Sequence, residues 1–156
     1  MATTSKETRI APVRKTLTVP LSPEKAFRLF TAGIATWWPL ATHSVGESKA
    51  ETVIMESRAG GRFYERAGDG SIAIWGEVRV WDPPRRLVYS WHPGRGAATA
   101  QEVELRFARE GKGTRVQLEH RGWEVLGEKA YSTRDNYDTG WNRVLNECYG
   151  KAAGIV

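Results

Sequence analysis

Residues 130–153, AYSTRDNYDTGWNRVLNECYGKAA, decide the reading of this chain. Tyr137, Trp141, Val144, Leu145, Cys148 and Ala152 recur at spacings of three and four, the period of one apolar stripe on an α-helix. Arg134, Asp135, Asp138, Asn142, Arg143, Asn146 and Glu147 fall largely on the other sides. A stripe that carries Trp141 has to be covered, so the helix is expected to lie across a flat apolar surface. Most of the chain between Glu51 and Arg121 reads as the sheet that receives it. Function is expected in the space left between the two.

The segments before the helix alternate with period two. QEVELRFARE (101–110) sets Val103, Leu105 and Phe107 against Glu102, Glu104 and Arg106. TRVQLEHRG puts Val116, Leu118 and His120 opposite Arg115, Gln117, Glu119 and Arg121. IAIWGEVRVWD, closed by Pro83 and Pro84, is the longest expected strand, and RRLVYSWH follows it. ETVIMES and GRFYERA pair across Arg58–Gly61, and AGDG (67–70) makes a second tight turn. Short turns between neighbours imply an antiparallel meander, wet on one face and covered on the other.

Toward the N-terminus, Val13, Lys15, Leu17 and Val19 interleave with Arg14, Thr16 and Thr18 as a short strand that ends at Pro20. Ser22 as N-cap and Pro23 as first helical residue then open a helix. Its apolar side carries Ala26, Phe27, Leu29 and Phe30, and Gly33 ends or bends it. IATWWPL reads as a second short helix, turning into a loop through His43 and Gly46 to Lys49. Residues 1–11 read as a flexible tail and 12–156 as a single domain. The expected class is α+β, with a curved antiparallel sheet of about seven strands wrapped around the C-terminal helix.

At 156 residues the chain is long enough to bury a core without staples. A single cysteine, Cys148, excludes an internal disulfide and fits a reducing cytoplasm. No apolar run reaches the length of a membrane span, and the first fifteen residues lack the hydrophobic core of a secretory signal. The formal net charge is +5, but Lys and Arg are dispersed among 18 acidic residues without a basic block. Specific nucleic-acid binding is therefore not expected. Seven tryptophans are many for this length, and their rings must be housed in a core, a cavity or an interface.

Taken with the element order, a set of landmarks resembles the START-like (Bet v 1-like, SRPBCC) superfamily. Within it the likeness is to the branch named after the C-terminal domain of the activator of the Hsp90 ATPase. The landmarks are Pro23, Ala26 and Phe27 with Trp37 and Trp38, then Gly60-Gly61-Arg62-Phe63-Tyr64-Glu65 and Trp75-Gly76-Glu77-Val78. Pro83 to Val88, Trp91, Gly122-Trp123 and Tyr137-Asp138-Thr139-Gly140-Trp141 complete the pattern, which spans about residues 13 to 153. The resemblance implies a helix-grip fold around a hydrophobic cavity. It implies no one activity, because relatives bind lipids or hormones, cyclise polyketides or assist chaperones.

Trp38, Phe63, Trp91, Trp123, Tyr137 and Trp141 come from elements that would surround the gap between sheet and helix. Rigid rings either wall a cavity or fill a core, and composition does not choose between the two. His120 is the one polar side chain on an apolar strand face. It is a candidate ligand contact and a weak acid–base candidate, against the alternative of a core histidine with an internal partner. Parity puts Glu65 on the same face as Phe63, which makes it a second weak catalytic candidate; the alternative is pairing with an Arg near the sheet edge. Metal binding is not expected, because His43, His92 and His120 stand in unrelated segments. No glycine pair follows a strand and opens a helix, so neither a phosphate loop nor a cofactor is indicated.

The first functional expectation is therefore a cytoplasmic domain that binds a small hydrophobic molecule between sheet and C-terminal helix. Trp38 and the loop from Pro39 to Lys49 would form its mouth. The alternative is an enzyme of cyclase or dehydratase type using the same cavity, with Glu65 and His120 as its acid–base pair. A chaperone-associated interaction module ranks lower and would show an exposed apolar patch elsewhere. A homodimer is left open by the residues.

Overall fold

Alternating side chains build one sheet in the computed structural model, which describes residues 10–155. Its strands are β1 (Val13–Val19), β2 (Ala50–Met55), β3 (Arg62–Ala67), β4 (Ile72–Asp82), β5 (Arg86–Trp91), β6 (Gln101–Glu110) and β7 (Gly113–Arg121). They are antiparallel throughout, in the spatial order β1-β7-β6-β5-β4-β3-β2. The first strand thus closes beside the last, with Val13 opposite His120. Register shifts at Phe63/Tyr64 and Val78/Val80 bend the middle of the sheet, which curls around the C-terminal helix. At the bend, β4 and β5 approach so closely that a Cβ on Gly76 would stand 1.7 Å from the Ser90 carbonyl oxygen. Only glycine fits there.

Ser22 caps the helix α1 (Pro23–Phe30), its hydroxyl accepting from the Lys25 amide at 3.3 Å, with Pro23 at the first position. The second short helix shrinks to a single 3₁₀ turn, Ile34–Thr36. The C-terminal helix has three parts: α2 (Ala130–Trp141), a π-helical stretch Asn142–Tyr149, and a last α-turn Gly150–Ala152. A 3₁₀ segment with a break at Gly127 precedes it.

The π-stretch corrects the expected stripe. Trp141, Val144 and Leu145 are buried and Tyr137 and Cys148 half-buried, but Ala152 is exposed. Tyr149 and Ala153 are buried instead. A π-turn holds more residues than 3.6, so each later side chain lags the α-helical spacing and the buried row continues as Leu145, Tyr149, Ala153. Tyr149 also donates its hydroxyl to the Ala26 carbonyl at 2.8 Å, tying this helix to α1.

Of the expected tail, residues 1–9 lie outside the described residues. Ile10 and Ala11 are held: the Ile10 amide donates to Glu124 at 2.6 Å, and Arg134 donates to the Ala11 carbonyl at 2.5 Å. Among the described residues no helix is long and apolar enough to cross a membrane.

On the outer face of the sheet, Glu104 on β6 accepts from Arg86 and Arg121, each at 2.6 Å, and from Arg106 at 2.8 Å. Arg121 also reaches Glu102 and Glu119. Burial alone would raise the Glu104 carboxyl, but the hydrogen bonds from Arg86 and Arg121 and the charges of Arg106 and Arg86 hold it down at about 2.

Candidate functional site

A cleft of about 470 Å³ opens between the C-terminal helix and one end of the sheet. Tyr137, Gly140, Trp141 and Val144 form its helix side. Trp75 from β4 and Trp91 from β5 form its sheet side, and Trp38 with Thr42 to Val45 its mouth. Pro93 and Gly94 close the rim.

The four rings are buried, 1–6 % exposed, and their polar ends are tied down. Trp38 donates its indole N–H to the His43 carbonyl at 2.7 Å, and Trp75 to Glu65 Oε1 at 2.6 Å. Trp91 donates to the Tyr137 hydroxyl at 2.8 Å, and Trp141 to His120 Nδ1 at 3.0 Å. With all four N–H groups spent inside the protein, the cleft meets mostly ring carbon. The rings also brace one another: Trp38 lies 5.1 Å from Trp75, 6.0 Å from Trp91 and 6.1 Å from Trp141, centroid to centroid.

Gly140 contributes to the cleft by having no side chain. A Cβ built on it would meet nothing within 4 Å, although glycine inside a helix costs about 1 kcal/mol relative to alanine. Tyr137 is the polar group best placed for a guest. Its oxygen accepts from Trp91, and its own proton has no acceptor among the described hydrogen bonds. At the mouth, Thr42 Oγ1 and His43 Nδ1 lie 2.7 Å apart. Burial, with the charge of Arg143 second, lowers the His43 imidazole, so its neutral form dominates at pH 7.

Four of the seven residues singled out in the sequence, Trp38, Trp91, Tyr137 and Trp141, meet at the cleft. Phe63, His120 and Trp123 do not line it; each is fully buried in the packing behind. Trp123 lies against His120 at 4.1 Å and donates its N–H to the His120 carbonyl at 3.0 Å. His120 accepts from Trp141 at Nδ1, which leaves Nε2 as the protonated nitrogen facing Gln101 Oε1 at 3.3 Å. Burial, with Arg95 second, pushes this imidazole down to about 3.

Glu65 does face inward, 3 % exposed, but it is paired with backbone rather than an arginine. Its oxygens accept from the amides of Val45 at 2.6 Å and Gly46 at 2.8 Å, besides Trp75. Glu65 on β3 and His120 on β7 are four strand spacings of about 4.8 Å apart along the sheet. The two weak catalytic candidates therefore do not converge on one guest, and both are committed to internal partners. Thr42 to Val45 fall in the Pro39–Lys49 loop expected as the mouth, whereas Trp75, Pro93, Gly94, Gly140 and Val144 line the cleft from outside the expected set. For Gly140 and Val144 the signal was there, since 137, 140, 141 and 144 share one helix face. Among the described residues no three His, Cys, Asp or Glu side chains cluster as a metal site.

No curated protein matches the chain by sequence. Among solved structures, an anthrahydroquino-gamma-pyrone synthase, Txn09, is 33 % identical, with a TM-score of 0.57 over 84 % of this chain and 89 % of that one. The self-sacrificing resistance protein CalC from Micromonospora echinospora is 27 % identical, with a TM-score of 0.65 over 92 % and 94 %. An Aha1 dimer from Colwellia psychrerythraea shares the fold at 12 % identity, with a TM-score of 0.58 over 86 % and 96 %. The family model described as activator of Hsp90 ATPase homolog 1-like protein matches residues 20–148. With its curled sheet gripping the terminal helix, the chain belongs to this activator-of-Hsp90-ATPase-like branch of the START-like superfamily.

Proposed function

We propose that this protein binds a flat, aromatic small molecule in the cleft between the C-terminal helix and the sheet. The observation that carries the reading is the set of four indoles, Trp38, Trp75, Trp91 and Trp141, whose N–H groups are all turned into the protein. Such a wall offers ring carbon and few polar demands, and a volume near 470 Å³ lies within the range of small-molecule sites. A guest burying on the order of 200 Å² of apolar surface would gain about 5 kcal/mol before the losses of association. The Tyr137 proton would orient it by donating to a carbonyl or hydroxyl oxygen. Txn09, named for a fused-ring compound, supports a guest of this shape.

Titration with 1,8-dihydroxyanthraquinone, followed by tryptophan fluorescence, tests the reading. Saturable one-to-one quenching is expected, about fivefold weaker in Tyr137→Phe for the loss of a hydrogen bond of roughly 1 kcal/mol. Quenching that never saturates would remove the reading.

The cyclase or dehydratase alternative draws support from the synthase among the similar structures. Its proton donor would be Tyr137, with His43 as neutral base, in place of Glu65 and His120. Turnover of a bound polyketone lost in both Tyr137→Phe and His43→Gln would establish it. A chaperone-linked role and a homodimer follow only from the family's name and the Aha1 dimer. A cytoplasmic setting belongs to the same proposal.

A further inference from the structure

Glu65 is buried, charged and absent from the lining of the cleft, yet it touches the cleft's mouth from behind. The loop 39–49 makes mostly local bonds: the Thr42 and His43 amides return to Pro39, the Ser44 hydroxyl to Leu40, and the Lys49 amide to Gly46. The hydrogen bonds described between this loop and the sheet are those of the Val45 and Gly46 amides to Glu65, at 2.6 and 2.8 Å. Both are charge-assisted and short, the stronger class of hydrogen bond. Trp75 braces the same carboxylate from the sheet side at 2.6 Å and presents its ring to the cleft. Gly46 is matched to the contact, since a Cβ there would come within 3.1 Å of Glu65 Oε2.

Val45 shows what the clamp accomplishes. It lines the cleft while 46 % exposed, and its backbone amide is the one held by Glu65 Oε1. A Cβ on Gly94 would stand 3.4 Å from Val45 Cγ2, so the valine side chain closes against the Pro93–Gly94 rim opposite.

We propose that Glu65 is the latch of this cleft: it holds the loop 39–49 down so that Val45 shuts against Gly94, and its bonds must open for a guest to enter or leave. Glu65 is a positioning residue and makes no contact with the guest. The proposal rests on the reading of the cleft as a ligand site. Releasing the latch frees the Val45 and Gly46 amides to water and exposes the carboxylate, while β6, β7 and the core beneath them stay as they are.

The test uses the whole protein and begins without ligand. In Glu65→Gln, one oxygen remains for Val45 and Trp75, and an NH₂ group is turned on the Gly46 amide. Hydrogen exchange resolved by NMR should then show the Gly46 amide exchanging at least tenfold faster, with Val116 in β7 unchanged. Gly46→Ala, which crowds the carboxylate from the loop side, should speed the same amides and keeps the test open if Glu65→Gln folds poorly. Stopped-flow mixing with 1,8-dihydroxyanthraquinone should give association and dissociation rates raised together, with the dissociation constant within about threefold of the native one. Loop amides that exchange at the native rate, or that rise in parallel with Val116, overturn the latch. If the dye binds neither protein, the ligand reading falls, and the exchange rates still decide the latch.

Discussion

Trp141 on the C-terminal helix donates its indole N–H to Nδ1 of His120 on β7 at 3.0 Å, and this bond joins a wall of the cleft to the inner face of β7. It requires the neutral imidazole, because a protonated ring has no lone pair to accept with. The native state therefore resists protonating His120, whose pKa lies at about 3 against an ordinary 6.5.

Since the unfolded chain takes up this proton near pH 6.5 and the folded one only near 3, the native state loses stability as pH falls through that window. The slope expected from this group is about 1.4 kcal/mol per pH unit. Chemical denaturation at pH 7, 6, 5 and 4 should show it, and His120→Gln should flatten it. The variant should also be less stable at pH 7 by about 1–3 kcal/mol, since the amide lacks the ring that packs against Trp123 and Tyr137. A native slope that persists unchanged in His120→Gln would contradict the assignment.

Glu104 acts in a lower window. Its folded pKa of about 2 lies below the ordinary 4.5, so its contribution is complete above pH 4.5 and is lost as pH falls toward 2. Its side chain is 7 % exposed and bound by three arginines, and Glu104→Gln is expected to lose on the order of 2–3 kcal/mol at pH 7. Urea midpoints of the two proteins should converge near pH 2. Equal stability at pH 7 would show that desolvation cancels the ion pairs.

Tyr89 is the opposite case, a polar group without a partner. It is fully buried between Phe63 and Trp91, and its hydroxyl finds no hydrogen bond among the described residues. Removing an unsatisfied hydroxyl relieves its desolvation penalty, so Tyr89→Phe should raise stability by about 1 kcal/mol and move the melting temperature up. A drop in melting temperature would mean that the oxygen has a partner after all.

Period-two alternation was enough to place most strands and to turn Val103, Leu105, Phe107, Val116, Leu118 and His120 inward. It reports which face a residue takes, not how deep it lies. Phe63 and Trp123 therefore read the same as Trp38 and Trp91, although the first pair sits behind the cleft and the second lines it. Glu65 was placed on the correct face by parity with Phe63. Its partners at Val45 and Gly46 are set by how the loop folds back, which no local pattern encodes. The π-stretch was equally illegible: a 3.6-residue template assigns Ala152 to the stripe, whereas the wider turn buries Tyr149 and Ala153. Gly140 could have been found, because a glycine between Tyr137 and Trp141 weakens the helix where nothing in the protein fills the space.

That glycine offers the most direct test of the central claim, that the space beside the helix is left unfilled for a guest. Gly140→Ala should stabilise the helix by about 1 kcal/mol, whereas Gly140→Leu should keep the fold and place its side chain where the rings of a ligand would stack. The measurement is a fluorescence titration of native and Gly140→Leu proteins with 1,8-dihydroxyanthraquinone. The account predicts saturable one-to-one quenching in the native protein and at least a hundredfold loss of affinity in Gly140→Leu, with no fall in melting temperature. Equal affinity in the two proteins would contradict it.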